Sequence, residues 1–96
     1  MRAGTETNVK ISSNSYEVDY SDSAMPAGCI YNAQVTQMYN SNDGNPTPYL
    51  VLKVSNISST GFEVIPYMWD GAAYANYTEA FSFNWVVYAY KNPSNN

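Results

Sequence analysis

Apolar and polar residues alternate along this chain in short stretches, and apolar positions do not recur at the three- and four-residue spacing of an amphipathic helix. Tyr16, Val18 and Tyr20 alternate with Glu17 and Asp19, which predicts a first short strand. Residues 21–28 interrupt it, with Pro26 and Gly28 as turn punctuation. Residues 29–39 predict the next strand, with Cys29, Tyr31, Ala33 and Val35 on one face and Asn32, Gln34 and Thr36 on the other. Asn-Asp-Gly chemistry and two prolines mark residues 40–48 as a loop. A strand over 49–56 turns Leu50, Leu52 and Val54 inward. Ser58-Ser59-Thr60-Gly61 then reverses the chain, and 62–69 returns antiparallel. There Phe62, Val64 and Met68 oppose Glu63, Ile65, Tyr67 and Trp69, while Pro66 marks an edge, a bulge or an early end to pairing. Residues 70–79 predict a second long loop, and 80–90 a last strand with Phe81, Phe83, Trp85 and Val87 inward. Short strands joined by turns, without helices, predict an all-β antiparallel sandwich or barrel. Residues 1–15 are polar and are expected to be a lead-in segment, 16–91 the β domain and 92–96 a tail.

Ninety-six residues make one small domain with a marginal core. Cys29 is the sole cysteine and there is no histidine, so neither a disulfide framework nor an obvious metal framework staples it. Small domains without such devices commonly gain stability by oligomerising. Eight acidic residues face only four basic ones, Arg2, Lys10, Lys53 and Lys91, scattered along the chain. Nucleic-acid binding needs clustered positive charge, and none is present. No apolar run reaches the roughly 20 residues of a membrane span, so no membrane insertion is expected. Ten tyrosines among many Asn and Ser suit two readings, a surface that binds by stacking and neutral hydrogen bonds or an extracellular β-protein that only needs solubility.

Nucleophilic catalysis needs a base beside Ser, Thr or Cys, and the usual one, His, is missing. Paired carboxylates such as Asp70 and Glu79 would normally need a deep cleft that so small a domain rarely encloses. The chain is therefore read as a non-enzyme, with no cofactor and no metal. Asn40 to Gly44 has oxygen ligands at alternate positions but no distal bidentate glutamate, and reads as a turn. The serious candidate is the aromatic loop. Trp69, Asp70, Tyr74 and Tyr77 lie in or beside one segment, and Lys53 is on the neighbouring strand. Aromatic rings cover the C–H face of a sugar, and Asp and Lys bind its hydroxyls. The competing reading makes Trp69 a core cap and the tyrosines interface residues.

The segments 54–62 (Val-Ser-Asn-Ile-Ser-Ser-Thr-Gly-Phe), Tyr67-Met68-Trp69 and 83–88 (Phe-Asn-Trp-Val-Val-Tyr) resemble the H-type lectin domain, the family of snail agglutinins and of the discoidin C-terminal domain. Residues 16–39 resemble its first half more loosely. The resemblance implies a six-stranded antiparallel β-sandwich, a homotrimer and sugar sites near subunit boundaries. By position it implies Trp69 as the stacking residue and Lys53 where the family has Arg. Asp70 follows the Trp, and Tyr74 or Tyr77 is the loop tyrosine. Lys lacks the planar fork of Arg, which puts the family's galactose or N-acetylgalactosamine preference in question. Arg2-Ala3-Gly4-Thr5-Glu6-Thr7 is also similar to a segment of phage tail-fibre and tail-collar proteins. Together these imply a receptor-binding domain for cell-surface glycans, extracellular or on a virion. The alternative is a trimerising cap or connector of a viral fibre with no sugar binding.

Overall fold

The structure is a computed structural model and describes residues 1–39, 43 and 49–91. Apart from Asp43, the loop expected at 40–48 lies outside the described residues, as does the tail expected at 92–96. Among the described residues seven strands follow in order: β1 (Arg2–Val9), β2 (Tyr16–Asp19), β3 (Cys29–Met38), β4 (Val51–Ser55), β5 (Gly61–Trp69), β6 (Tyr74–Asn76) and β7 (Phe81–Lys91). A 3-10 turn, Ser21–Ser23, follows β2. The chain is an all-β sandwich of two antiparallel sheets. One sheet has the order β1-β7-β3; the other has β2-β5-β4, with β6 also paired to β5.

The expected count of six strands is corrected to seven. The lead-in carries the edge strand β1, which pairs with β7 from Arg2↔Val87 to Val9↔Phe81. Its inward positions are Arg2, Gly4 and Glu6, so no apolar alternation announces it. Each nevertheless has a place in the fold. The Arg2 guanidinium donates to the carbonyls of Ser23 and Ala24. Gly4 makes room for the Trp85 ring, which a Cβ would meet at 2.7 Å. The Glu6 carboxylate accepts from Tyr16 Oη at 2.7 Å and from Trp85 Nε1 at 3.1 Å, linking both sheets.

The inward alternation expected of the other strands is present. Val18, Phe62 and Val64 face Phe81, Phe83, Trp85 and Val87, all buried. The rings interlock across the sheets: Phe62 meets Trp85 edge-on at 5.6 Å, and Tyr16 meets Phe83 at 6.0 Å. Each buried side chain of this size contributes roughly 1.5–3 kcal/mol, so this interior supplies the domain's cohesion. Pro66 ends no strand. β2 pairs with β5 as far as Val64 and β6 resumes at Tyr67, while β4 holds the opposite side with Leu52↔Pro66. The missing N–H of Pro66 falls in the gap between β2 and β6, where no ladder needs it.

The turn at 58–61 is a hub. Ser58 N–H donates to Gly61 O at 2.9 Å, and the carbonyls of Ser59 and Thr60 accept from the amides of Met25 and Tyr20. Gly61 is required by close approach, since a Cβ there would lie 2.4 Å from the Val18 carbonyl.

Outward positions differ between the sheets. β7 turns out Asn84, Val86, Tyr88 and Tyr90; β3 turns out Ile30, Asn32, Gln34 and Thr36. Ser82 begins the same row yet is fully buried, because its Oγ donates to the Asp43 carboxylate at 2.8 Å and accepts from Asn8 N–H at 3.0 Å. The acidic residues on the outer side of the second sheet include Glu17 and Glu63, which are directly opposed across β2 and β5.

Candidate functional site

The outer face of β4, β5 and β6 gathers three of the five residues expected at a binding site, Trp69, Lys53 and Tyr74, and Asp70 lies in the turn between β5 and β6. Trp69 is paired with Tyr74 across the β5–β6 hairpin, and the rings lie 5.0 Å apart, tilted by 60°. Both are more than half exposed, at 54% and 58%. Strict alternation along β5 places Tyr67 on the same outer face, opposite Val51 of β4. Lys53, two residues along β4, shares that face. Val51, Lys53, Tyr67 and Tyr74 line an open hollow of about 280 Å³.

The Lys53 side chain makes no hydrogen bond or ion pair among the described residues. Its ammonium is thus the one charged donor set against aromatic and aliphatic walls in this hollow. Chemically, the arrangement offers apolar faces for stacking and a donor for an oxygen at their edge.

Asp70 shapes the turn between β5 and β6. Its Oδ1 accepts from Ala72 N–H at 2.8 Å and Ala73 N–H at 2.9 Å, and its own N–H donates to Ala73 O at 3.1 Å. This Asx turn closes the hairpin that holds Tyr74 against Trp69. The hydrogen bonds from Ala73 and then Ala72 hold its carboxyl below the usual carboxylate range.

Tyr77 does not join the others. It is 7% exposed and belongs to the core, with its N–H bonded to Pro66 O at 3.0 Å. The cause is parity: Tyr74 and Asn76 face out on β6, so the residue after Asn76 turns in. Burial pushes its phenol pKa up, with smaller contributions from Glu79 and Asp43.

Sequence reasoning missed a second hollow on the same sheet. It measures about 310 Å³ and is lined by Glu17, Asp19, Ser58, Thr60 and Glu63 among others. Its polar groups largely serve the fold: Asp19 Oδ1 accepts from Ser21 N–H, and Asn56 Nδ2 donates to Glu63 Oε2 at 2.6 Å. Among the described residues no group of three or more His, Cys, Asp or Glu side chains is placed to hold a metal ion. Sequence reasoning also missed the buried Asp43–Ser82 pair, since Asp43 sits in a loop rich in turn residues.

No family model, curated protein or solved structure matches this chain. Its function is therefore argued from the geometry of its own surface.

Proposed function

We propose that this chain is a non-enzymatic carbohydrate-binding module that recognises cell-surface glycans. The observation that carries the proposal is the exposed Trp69–Tyr74 pair beside a hollow with one unpaired ammonium, Lys53. Burying two large rings would stabilise so small a domain, and here the hairpin holds them outside instead. In this reading Trp69 stacks on the apolar face of a sugar ring and Tyr74 forms the second wall. Lys53 donates to a ring substituent, and Asp70 positions Tyr74 through the Asx turn. Tyr67 and Val51 complete the floor. The resemblance to H-type lectins supports the same assignment of Trp69 and Lys53. It extends the reading to galactose-type sugars, to a homotrimer and to a tail-fibre tip on a virion. Single sites of this kind bind weakly, and several copies held together would compensate by avidity.

A glycan array probed with the parent protein and with Trp69→Ala tests the proposal. The expected result is a selective signal that the substitution removes, with the melting temperature little changed because Trp69 lies outside the core. Silence of the folded parent across the array would overturn the reading and favour a structural cap. Unchanged binding by the variant would remove Trp69 from the site.

A further inference from the structure

The outer face of the β2-β5-β4 sheet is divided by charge. Counting in twos along its paired strands orders that face. Glu63 opposes Glu17 at one end; Lys53 follows beside Ile65, then Val51 beside Tyr67, then Trp69 beside Tyr74. Carboxylates flank this series on both sides, and those nearest the hollow are already engaged. Glu63 Oε2 accepts from Asn56 Nδ2 at 2.6 Å. Asp70, in the turn beyond Trp69, accepts from the Ala72 and Ala73 amides. The Lys53 ammonium lies between them, exposed and without an ion pair among the described residues. The walls it shares the hollow with, Val51, Tyr67 and Tyr74, are uncharged.

Resting on the reading of this hollow as a sugar site, we infer that its ligand is an acidic sugar, a ring carrying one anionic group, and that Lys53 binds that group. Desolvation decides between a charged and a neutral partner. A sugar ring seated on Tyr67 and Tyr74 takes water away from the ammonium. Stripping a charge of water is costly unless a strong acceptor replaces it. A hydroxyl oxygen returns a single hydrogen bond, whereas a carboxylate or sulfate oxygen returns a stronger, charge-assisted one and cancels the charge. Among the described residues no side chain does this in advance, since the Glu63 carboxylate is bonded to Asn56. The flanking carboxylates then set where the anion can lie. One placed over Trp69 approaches Asp70, and one placed beyond Lys53 approaches Glu63 and Glu17; both are like-charge encounters. An anion over the Val51–Tyr67 pair meets the ammonium first. The sugar ring therefore lies over the tyrosines with its anionic group towards Lys53. One cation flanked by carboxylates, in a chain of net charge −4, also disfavours polyanions, whose further charges would meet Glu63 or Asp70. The site selects one charge, not charge density.

The test measures binding of the parent, Lys53→Met and Lys53→Arg to immobilised glycans in matched acidic and neutral pairs. Galacturonic acid is set against galactose, sialyl-lactose against lactose and galactose 6-sulfate against galactose, with heparin as the polyanion. The parent should bind at least one acidic member about tenfold more tightly than its neutral match, and the gap should narrow as salt rises. The carboxylate and sulfate pairs tell which anion is preferred. Lys53→Met should close the gap and Lys53→Arg should keep it. Both should melt with the parent, since the Lys53 side chain is exposed and bonds to nothing among the described residues. Trp69-dependent binding of neutral sugars without an acidic preference would overturn this inference and leave the sugar-binding reading standing. Silence towards every glycan would overturn both. A preference that survives Lys53→Met, or heparin bound more tightly than any singly charged sugar, would also overturn the inference.

Discussion

Replacing Gly4 by alanine adds a single carbon at the point where β1 crosses the Trp85 ring. That carbon would lie 2.7 Å from Cε2 and Cζ2 and 2.8 Å from Nε1. The ring has little freedom to yield. It stacks on Tyr20 at 5.7 Å and receives Phe62 edge-on at 5.6 Å. Its Nε1 also donates to Glu6 at 3.1 Å. Overpacking of this kind costs about 1–3 kcal/mol. A strained or broken hydrogen bond to Glu6 adds about 1 kcal/mol. For a domain of this size each kcal/mol lowers the melting temperature by about 4–8 °C, so a fall of about 10–25 °C is expected. Calorimetry of parent and variant at one protein concentration measures it, since association would make the midpoint concentration-dependent. A change within about 2 °C would refute the reasoning, because it would mean the interior has slack at Trp85. A double-mutant cycle with Trp85→Phe locates the clash. If the added methyl meets the outer ring of the indole, Gly4→Ala should cost at least about 1 kcal/mol less in the Trp85→Phe background. Simple additivity would place the strain elsewhere.

Burial first, and then the Glu6 carboxylate, push the Tyr16 phenol up to about 12. Its folded value lies above the unfolded one, so its contribution is complete below about pH 10 and is lost as pH rises towards 12. Allowing for solvent screening of this partly buried group, that is about 1 kcal/mol. Chemical denaturation between pH 9 and 12 should show this loss in the parent and not in Tyr16→Phe. At the hairpin, Asp70→Asn keeps an oxygen able to accept from Ala72 and Ala73, whereas Asp70→Ala does not. Glycan binding should survive the first and weaken in the second. Equal loss in both would mean that the carboxylate itself contacts the ligand. Because the Asp70 pKa is lowered, the turn should persist below the usual Asp titration range and open only in stronger acid, as read from the Trp69 fluorescence.

The sandwich was legible wherever side chains alternate by hydropathy. Phe62, Val64, Phe81, Phe83 and Val87 announce their faces because apolar burial drives them there. β1 was not legible, because the interior it meets is lined by an indole N–H and a tyrosine hydroxyl that ask for a carboxylate and a glycine rather than for leucine. β6 was hidden by its length, three residues within a stretch that composition marks as loop. Of the site, Trp69, Tyr74 and Lys53 could be placed on one face by counting in twos along adjacent strands. Tyr77 was misplaced because that count runs through β6, which the sequence does not announce.

The two most motif-like segments show what short motifs encode. In the segment 2–7, Arg2, Gly4 and Glu6 tie β1 to the 3-10 turn and to the Trp85 and Tyr16 side chains. In the segment 58–62, the Ser58 side chain and backbone shape a turn whose carbonyls anchor Tyr20 and Met25, and Gly61 allows β5 to approach β2. Both are solutions to packing problems, so both would persist in a protein that shared this sandwich and bound something else. The exposed ring pair is under no such constraint. Trp69 and Tyr74 contribute little to the interior, and a hairpin of this kind needs only Asp70 and a compliant turn. What the chain does is therefore to be sought in the residues that the fold does not require, and the Lys53–Tyr74 hollow with Trp69 beside it is where the second sheet concentrates them.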